Sequence, residues 1–240
     1  MVLFAASGMA VAGPPLFIDD PGILDRGQWE IITAATASKI DGGDRAVELP
    51  VLDVSVGLGE NIQASAAYPY VLVDSGGGPE KSDFGNLAVG VKWRFFESET
   101  LQIAVAPGYQ FGIHANAARF GIGSDTPVAT LPVNLEYAWG DWILNAELAY
   151  AAIEREEDEV AYGAAIGHPV GPRMQLMLEI YGAASSEFED HAVNFNVGAD
   201  IAVTEAWHIL VAAGSGISEP TGGEELRLTG FLGIQYFTGM

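Results

Sequence analysis

Apolar and polar side chains alternate without a break through Val193-Asn194-Phe195-Asn196-Val197-Gly198-Ala199-Asp200-Ile201. Successive side chains of a β-strand point to opposite faces, so a period of two predicts a strand with one apolar and one polar face. The same alternation recurs earlier in the chain, at residues 86–95 and 173–180. The repetition predicts an all-β protein.

From Gly27 onward, one unit repeats along the chain: about ten alternating residues followed by a turn. We predict about twelve strands on this pattern. They span residues 27–39, 46–58, 62–73, 83–96, 101–113, 127–139, 142–152, 160–170, 173–183, 191–203, 207–216 and 226–238.

The connections between these strands alternate strictly between short and long. Short turns fall at 59–61, 97–100, 140–141, 171–172 and 204–206, and longer loops at 40–45, 74–82, 114–126, 153–159, 184–190 and 217–225. Outer-membrane barrels have short periplasmic turns, long extracellular loops and an even number of strands. The pattern therefore predicts a transmembrane antiparallel up-and-down β-barrel in a bacterial outer membrane, with both termini on the periplasmic side.

Four of the five tryptophans lie beside predicted short turns and the fifth, Trp29, opens the first strand, so all five lie at one end of the barrel. They are Trp29, Trp93, Trp139, Trp142 and Trp207. Tryptophan gathers at the membrane interface because its ring is apolar while its N–H group needs water or another polar partner. We predict that these residues form an interfacial belt and that the outward face contacts outer-membrane lipid.

Composition excludes several kinds of partner and site. The chain of 240 residues carries a formal net charge of −22 and contains no cysteine. Nucleic acid is excluded as a partner, because phosphate binding requires clustered Lys and Arg. A disulfide framework and a thiolate metal site are also excluded. We find no metal-ligand spacing and no phosphate-binding loop, and we expect no cofactor.

The N-terminus predicts a processed export signal. A short apolar run ends in Ala10-Val11-Ala12, a small-x-small pattern typical of a signal peptidase site. We expect residues 1–12 to be the remnant of a cleavable signal peptide. Residues 13–26 would then be a periplasmic N-terminal segment and residues 27–240 the barrel.

The polar face of the strands should line the lumen. We predict as pore-lining Lys92, Arg94, Asn134, Glu136, Asn145, Glu147, Arg173, Glu179, Asn194, Asn196, Asp200 and Arg227. The turn at Gly140-Asp141 sets Asn134 opposite Glu147 and Glu136 opposite Asn145, and neighbouring strands allow an Arg173–Asp200 ion pair.

Small residues also line this face, which favours a narrow passage. The alternative is a lumen filled by the N-terminal segment or by folded-in loops.

Several short motifs resemble one known family, the outer-membrane transporters named for the meta-pathway of phenol degradation. They are Pro15-Leu16-Phe17-Ile18-Asp19-Asp20-Pro21-Gly22, Gly27 with Trp29 and Glu30, Leu49-Pro50, Gly57-Leu58, Pro69-Tyr70, Phe84-Gly85-Asn86, Gly90-Val91-Lys92, Pro107, Gly121 to Gly123, Leu131-Pro132, Trp142 and Glu179. The resemblance implies an outer-membrane barrel linked to uptake of aromatic compounds, and it carries over no binding residue. Asn86 departs from the family pattern, which has an acidic residue there.

Three functions remain open from the sequence. The leading one is passive passage of a small solute, aromatic or otherwise apolar, across the outer membrane. The second is a structural barrel without an open pore. The third is a barrel hydrolase, which we do not favour because His114, His168, His191 and His208 lie in no motif that joins them to a nucleophile.

The loop-length pattern predicts the sidedness of the barrel. A Cys introduced at Gly77 or Asp158 should react with a membrane-impermeant thiol reagent on intact cells. A Cys at Asp141 should react only after the outer membrane is permeabilised. The reverse labelling pattern would contradict the assignment of the long loops to the cell surface.

Overall fold

A computed structural model of the chain describes residues 15–40, 45–74, 80–188, 191–219 and 226–239. The predicted signal remnant at 1–12 lies outside these residues. The elements are β1 (Trp29–Ile40), β2 (Arg45–Gly57), β3 (Ile62–Asp74), β4 (Lys81–Phe84), β5 (Ala88–Glu97), β6 (Leu101–Val105), β7 (Gly108–Gln110), α1 (Ala115–Ala118), β8 (Val128–Trp139), β9 (Trp142–Ile153), β10 (Glu159–Pro169), β11 (Met174–Ser185), β12 (His191–Ala202), β13 (Trp207–Ser218) and β14 (Leu226–Phe237).

The strands form one antiparallel sheet that closes on itself. β3 pairs with both β4 and β5, and β8 pairs with both β6 and β7, so each of these two pairs is a single interrupted barrel strand. The barrel therefore has twelve strands, as the sequence predicts. The β1–β14 ladder, from Glu30 opposite Phe237 to Ile40 opposite Leu226, completes the ring.

The two interrupted strands differ from the sequence prediction, which has residues 83–96 and 101–113 continuous. One break lies around Asn86, whose side chain is buried between the strand and the following loop. Its Nδ2 donates to the carbonyls of Phe111 and Ser124, each at 2.7 Å, and its Oδ1 accepts from the Ser124 amide at 2.9 Å. A carboxylate at this position could not donate to either carbonyl. The other break coincides with Pro107, which has no N–H for the ladder.

The loop after β7 falls where the sequence predicts a long loop, at residues 114–126, and it packs against the barrel wall. It contains the one-turn helix α1, and Ala117 and Ile122 pack on Val71 in a buried apolar cluster. Among the described residues, no helix is long and apolar enough to cross a bilayer.

The alternation of side chains separates the two faces of the wall as predicted. Outward-facing apolar residues are exposed, as Val197 is at 53%. Inward-facing polar residues are buried, including Asn134, Glu179 and Asn196. The apolar side of the sheet thus faces away from the barrel interior, which is the arrangement that a lipid environment requires.

Arginine on the outer face should destabilise the barrel more than arginine on the inner face. Leu176→Arg or Val197→Arg should each cost about 2–4 kcal/mol in the free energy of unfolding in lipid vesicles, because the charge enters hydrocarbon. Gln175→Arg, on the inner face of β11, is the matched control and should cost much less. Denaturant titration followed by tryptophan fluorescence measures all three, and equal costs would contradict the assignment of faces.

Candidate functional site

The N-terminal segment, residues 15–24, lies inside the barrel. It enters at the short-turn end, where the Gly27 amide donates to the Gly57 carbonyl at 2.8 Å. Further in, the Leu24 amide donates to Gln63 Oε1 at 3.0 Å. The sequence predicts that residues 13–26 lie in the periplasm. The described part instead runs up the lumen, because the inner wall offers acceptors for its backbone and apolar surface for its side chains.

Glu179 binds the inner end of the segment. Its carboxylate accepts the Phe17 amide at 2.8 and 3.0 Å and the Ile18 amide at 2.7 Å. Asn196 Nδ2 donates to the same carboxylate at 2.8 Å, and the Glu179 side chain is fully buried. Hydrogen bonds to a charged acceptor are stronger than neutral ones, so this residue is a principal anchor for the segment.

Asp19 is the second point of attachment. Lys92 Nζ lies 2.7 Å from Asp19 Oδ2 and also donates to the Asp20 carbonyl at 2.7 Å. Glu147 Oε2 accepts from the Asp19 amide at 3.0 Å and from Asn134 Nδ2 at 2.7 Å. The Asp19–Asp20 part of the segment is therefore bound to β5 and to β8–β9, which are separated in the ring only by the interrupted β6–β7 strand.

Apolar contacts complete the docking. Phe17 stacks on Tyr181 with ring centroids 4.4 Å apart. Leu16 and Ile18 join Tyr181 and Ala165 in a buried cluster. A Cβ at Gly163 would overlap Ile18, so the wall needs glycine there for the segment to approach this closely.

Two cavities flank the docked segment. The one towards the long-loop end has a volume of about 70 Å³, and its wall includes Phe17 and Thr130. The one at the short-turn end has a volume of about 280 Å³ and is lined in part by Glu30 and Asp53. Both are large enough for water, which needs about 10–15 Å³. They share Asp19, Gln63 and Lys92 as wall residues, so the Lys92–Asp19 ion pair lies where the two cavities meet.

Several predicted pore-lining residues converge on this interior. Lys92, Glu147 and Glu179 bind the segment directly, and Asn134 and Asn196 bind these carboxylates. The predicted register is confirmed, because Asn134 lies opposite Glu147 and Glu136 opposite Asn145. Glu136, Asn145 and Asn194 are half-buried members of the same inner face.

Four of the predicted lining residues lie away from this convergence. Arg94 donates to Gln102 Oε1 at 3.0 Å and pairs with Glu97. Arg173 and Arg227 are exposed near the ends of their strands. Asp200 Oδ1 lies 2.7 Å from His208 Nδ1, so the ion pair with Arg173 that the sequence predicts is not formed. Arg173 precedes β11, and the register sets Asp200 opposite Gln175 instead.

The tryptophans all lie at the short-turn end of the strands. Trp139 and Trp142 are directly paired across the turn between β8 and β9, and Trp139 is 72% exposed. Trp29, Trp93 and Trp207 are also exposed, near the corresponding ends of β1, β5 and β13. The interfacial belt remains a prediction. It requires all five tryptophans to be exposed at one end of the barrel, and that is where they lie.

The sequence leaves a lumen filled by the N-terminal segment as an alternative, but it does not single out Phe17, Ile18 and Asp19 as the residues that dock there. The available signal was a short apolar run, Leu16-Phe17-Ile18, that precedes the first alternating strand and has no alternation of its own. Apolar side chains in a segment that is predicted to lie in the periplasm are expected to be buried against some other surface of the protein. In a barrel, the lumen can supply one.

Comparison with protein families finds one whose sequence model matches residues 31–228, described as "Putative MetA-pathway of phenol degradation". No curated protein sequence matches the chain.

Solved outer-membrane barrels share this fold. The COG4313 outer membrane channel from Pseudomonas putida F1 superposes with a TM-score of 0.69 at 12% identity, covering 91% of this chain and 98% of that one. The CymD monoaromatic hydrocarbon channel gives 0.55 at 8% identity, covering 89% of each chain. The KdgM porin gives 0.57 at 10% identity, covering 86% of this chain and 98% of that one. At these identities, the likeness establishes the fold.

Glu179→Gln should loosen the N-terminal segment within the barrel. Glutamine keeps an acceptor oxygen but loses the charge that strengthens the bonds to Phe17 and Ile18. We expect these amides to exchange about tenfold faster, as loss of a charge-assisted hydrogen bond implies. Hydrogen–deuterium exchange of folded protein in micelles measures this, with Glu136→Gln on β8 as the control. Unchanged protection in Glu179→Gln would contradict the anchoring role.

Proposed function

The chain belongs to the family described by the matched model, and on that premise we propose that it is an outer-membrane channel for passive uptake of a small aromatic or otherwise apolar solute. The observation that supports this most directly is the pair of cavities that meet at the Lys92–Asp19 ion pair. They occupy the lumen on both sides of the segment, so a solute that crosses the barrel by way of these cavities has to pass this pair.

The chemistry of the narrow region favours small solutes with little polarity. The cavity at the long-loop end has a mainly apolar wall around a few polar groups, and it includes Phe17, Ala149 and Ala161. A large sugar would need hydrogen-bond partners along its whole length and more room than this cavity offers. An aromatic ring needs only apolar contact and a gap beside the ion pair.

The barrel exterior supports insertion into outer-membrane lipid. Exposed aliphatic side chains cover the middle of the outward face, including Leu148, Leu178 and Leu232. The five tryptophans would lie at the periplasmic interface, where an aromatic ring and its N–H group are both accommodated. The long loops would then face the cell surface.

We assign no catalytic role to the histidines. His208 is held by Asp200, and His168 packs on Trp142 with ring centroids 4.4 Å apart. The solved structures described above are channels and porins, which supports transport over hydrolysis.

Liposomes that contain the folded protein should take up a small neutral phenol faster than empty liposomes. Lys92→Met should raise this rate several-fold, because it breaks the ion pair between the cavities and removes a donor to the Asp20 carbonyl. Lys39→Met, on an exposed position of β1, is the matched control and should leave the rate unchanged.

The same vesicles should take up a trisaccharide no faster than empty ones. Folding is verified by the heat-dependent gel shift of the barrel. If the native protein and Lys92→Met both add nothing to phenol uptake, the chain is a structural barrel with a filled lumen rather than a channel.

A further inference from the structure

The cavity at the short-turn end has an unusually acidic wall. The side chains of Asp19, Asp20, Glu30 and Asp53 line it, and Lys92 is the one cationic side chain among its described lining residues. Its volume of about 280 Å³ exceeds that of the cavity on the other side of the segment. We call it the vestibule.

Most of the acidic groups in the vestibule already have partners. Asp19 pairs with Lys92, and Asp20 Oδ1 accepts from the Gly22 amide at 2.6 Å. Glu30 accepts a hydrogen bond from Gln235 Nε2 across the β1–β14 ladder. These carboxylates are used to hold the segment and the wall in place.

Asp53 differs from the other three carboxylates. Its side chain lines the vestibule and is only 9% exposed, yet within the described part of the chain it makes no hydrogen bond or ion pair. Ser55, two residues along the same face of β2, lines the vestibule at 3% exposure and likewise has no partner there. Both groups face a cavity large enough for water, so on this side Asp53 and Ser55 are open to a solvent molecule or to a ligand rather than to another protein group.

The geometry does not suit a bound metal ion. Among the described residues, no three Asp, Glu, His or Cys side chains lie close enough together to hold one. The wall instead joins acidic groups to apolar ones, because Ile23, Leu24, Ile32 and Phe237 line the same space. This combination fits a ligand with a cationic head and an apolar body.

We propose that the vestibule binds small primary ammonium compounds that carry an apolar body, with the ammonium group on Asp53 and Ser55. An ammonium group offers three donors and a positive charge, which supply what the Asp53 carboxylate and the Ser55 hydroxyl lack. The apolar body lies against Leu24 and Phe237. The proposal is independent of the proposed transport function, because ligand binding to the vestibule can be measured whether or not a solute crosses the barrel.

Isothermal titration of the folded full-length chain in a neutral glycoside detergent tests the proposal. Benzylamine is the probe, and benzyl alcohol is its neutral counterpart of similar shape. At 150 mM salt and pH 7.5, we expect benzylamine to bind at least about tenfold more tightly, as a charge-assisted hydrogen bond implies. Asp53→Asn should abolish this preference. Asp141→Asn, the same change at an exposed turn, should retain it.

The remaining outcomes decide against the proposal. Equal binding of amine and alcohol to the native chain would overturn it. So would an Asp53→Asn variant that keeps the preference, since binding would then come from the diffuse negative charge of the chain. If calcium ions bind more tightly than benzylamine, and only when Asp53 is intact, the vestibule is a metal site rather than a site for organic ammonium compounds. If Asp53→Asn fails to fold, Ser55→Ala takes its place and should weaken benzylamine binding several-fold.

Discussion

The closure of the sheet by the β1–β14 ladder is the constraint on which the rest of this structure depends. A backbone in contact with hydrocarbon must satisfy its own N–H and C=O groups, and a closed ring of strands is the β-structure that does so. Closure also fixes an inside and an outside. Once Glu30 lies opposite Phe237, the alternation along every strand assigns each side chain to the lumen or to the exterior.

The docking of the N-terminal segment inside the lumen follows from that division. A barrel whose inner face is lined by small residues leaves space, and the polar groups on the wall need partners. The segment that starts at Pro15 brings backbone donors to Glu147 and Glu179, and apolar side chains to Tyr181. The segment also supplies Asp19, which forms an ion pair with Lys92 of the wall. The remaining space lies in two parts, on either side of one ion pair, and that geometry supports the proposals for transport and ammonium binding.

Much of the barrel could be predicted from the sequence, because alternation and turn length are local signals. The two-residue turn at Gly140-Asp141 was sufficient to predict the pairing of Asn134 with Glu147. The contacts of the lumen could not be predicted in this way. No local pattern relates Phe17 to Glu179 or Asp19 to Lys92, since these contacts depend on which strands surround the lumen. The break at Asn86 escaped prediction for a similar reason, because its hydrogen-bond partners lie 25 and 38 residues further along the chain.

The anchoring of the segment also makes its position depend on distant parts of the chain. The Phe17 amide and its acceptor Glu179 are 162 residues apart in the chain, and the other attachment points lie on β3, β5, β8 and β9. The surface that binds the segment is built from strands between β3 and β11, so it is complete only when those strands are paired. The contacts of the segment therefore depend on the wall, although the segment precedes every strand of the wall in the chain. Without the segment, Lys92 and the carboxylates of Glu147 and Glu179 would face an open lumen.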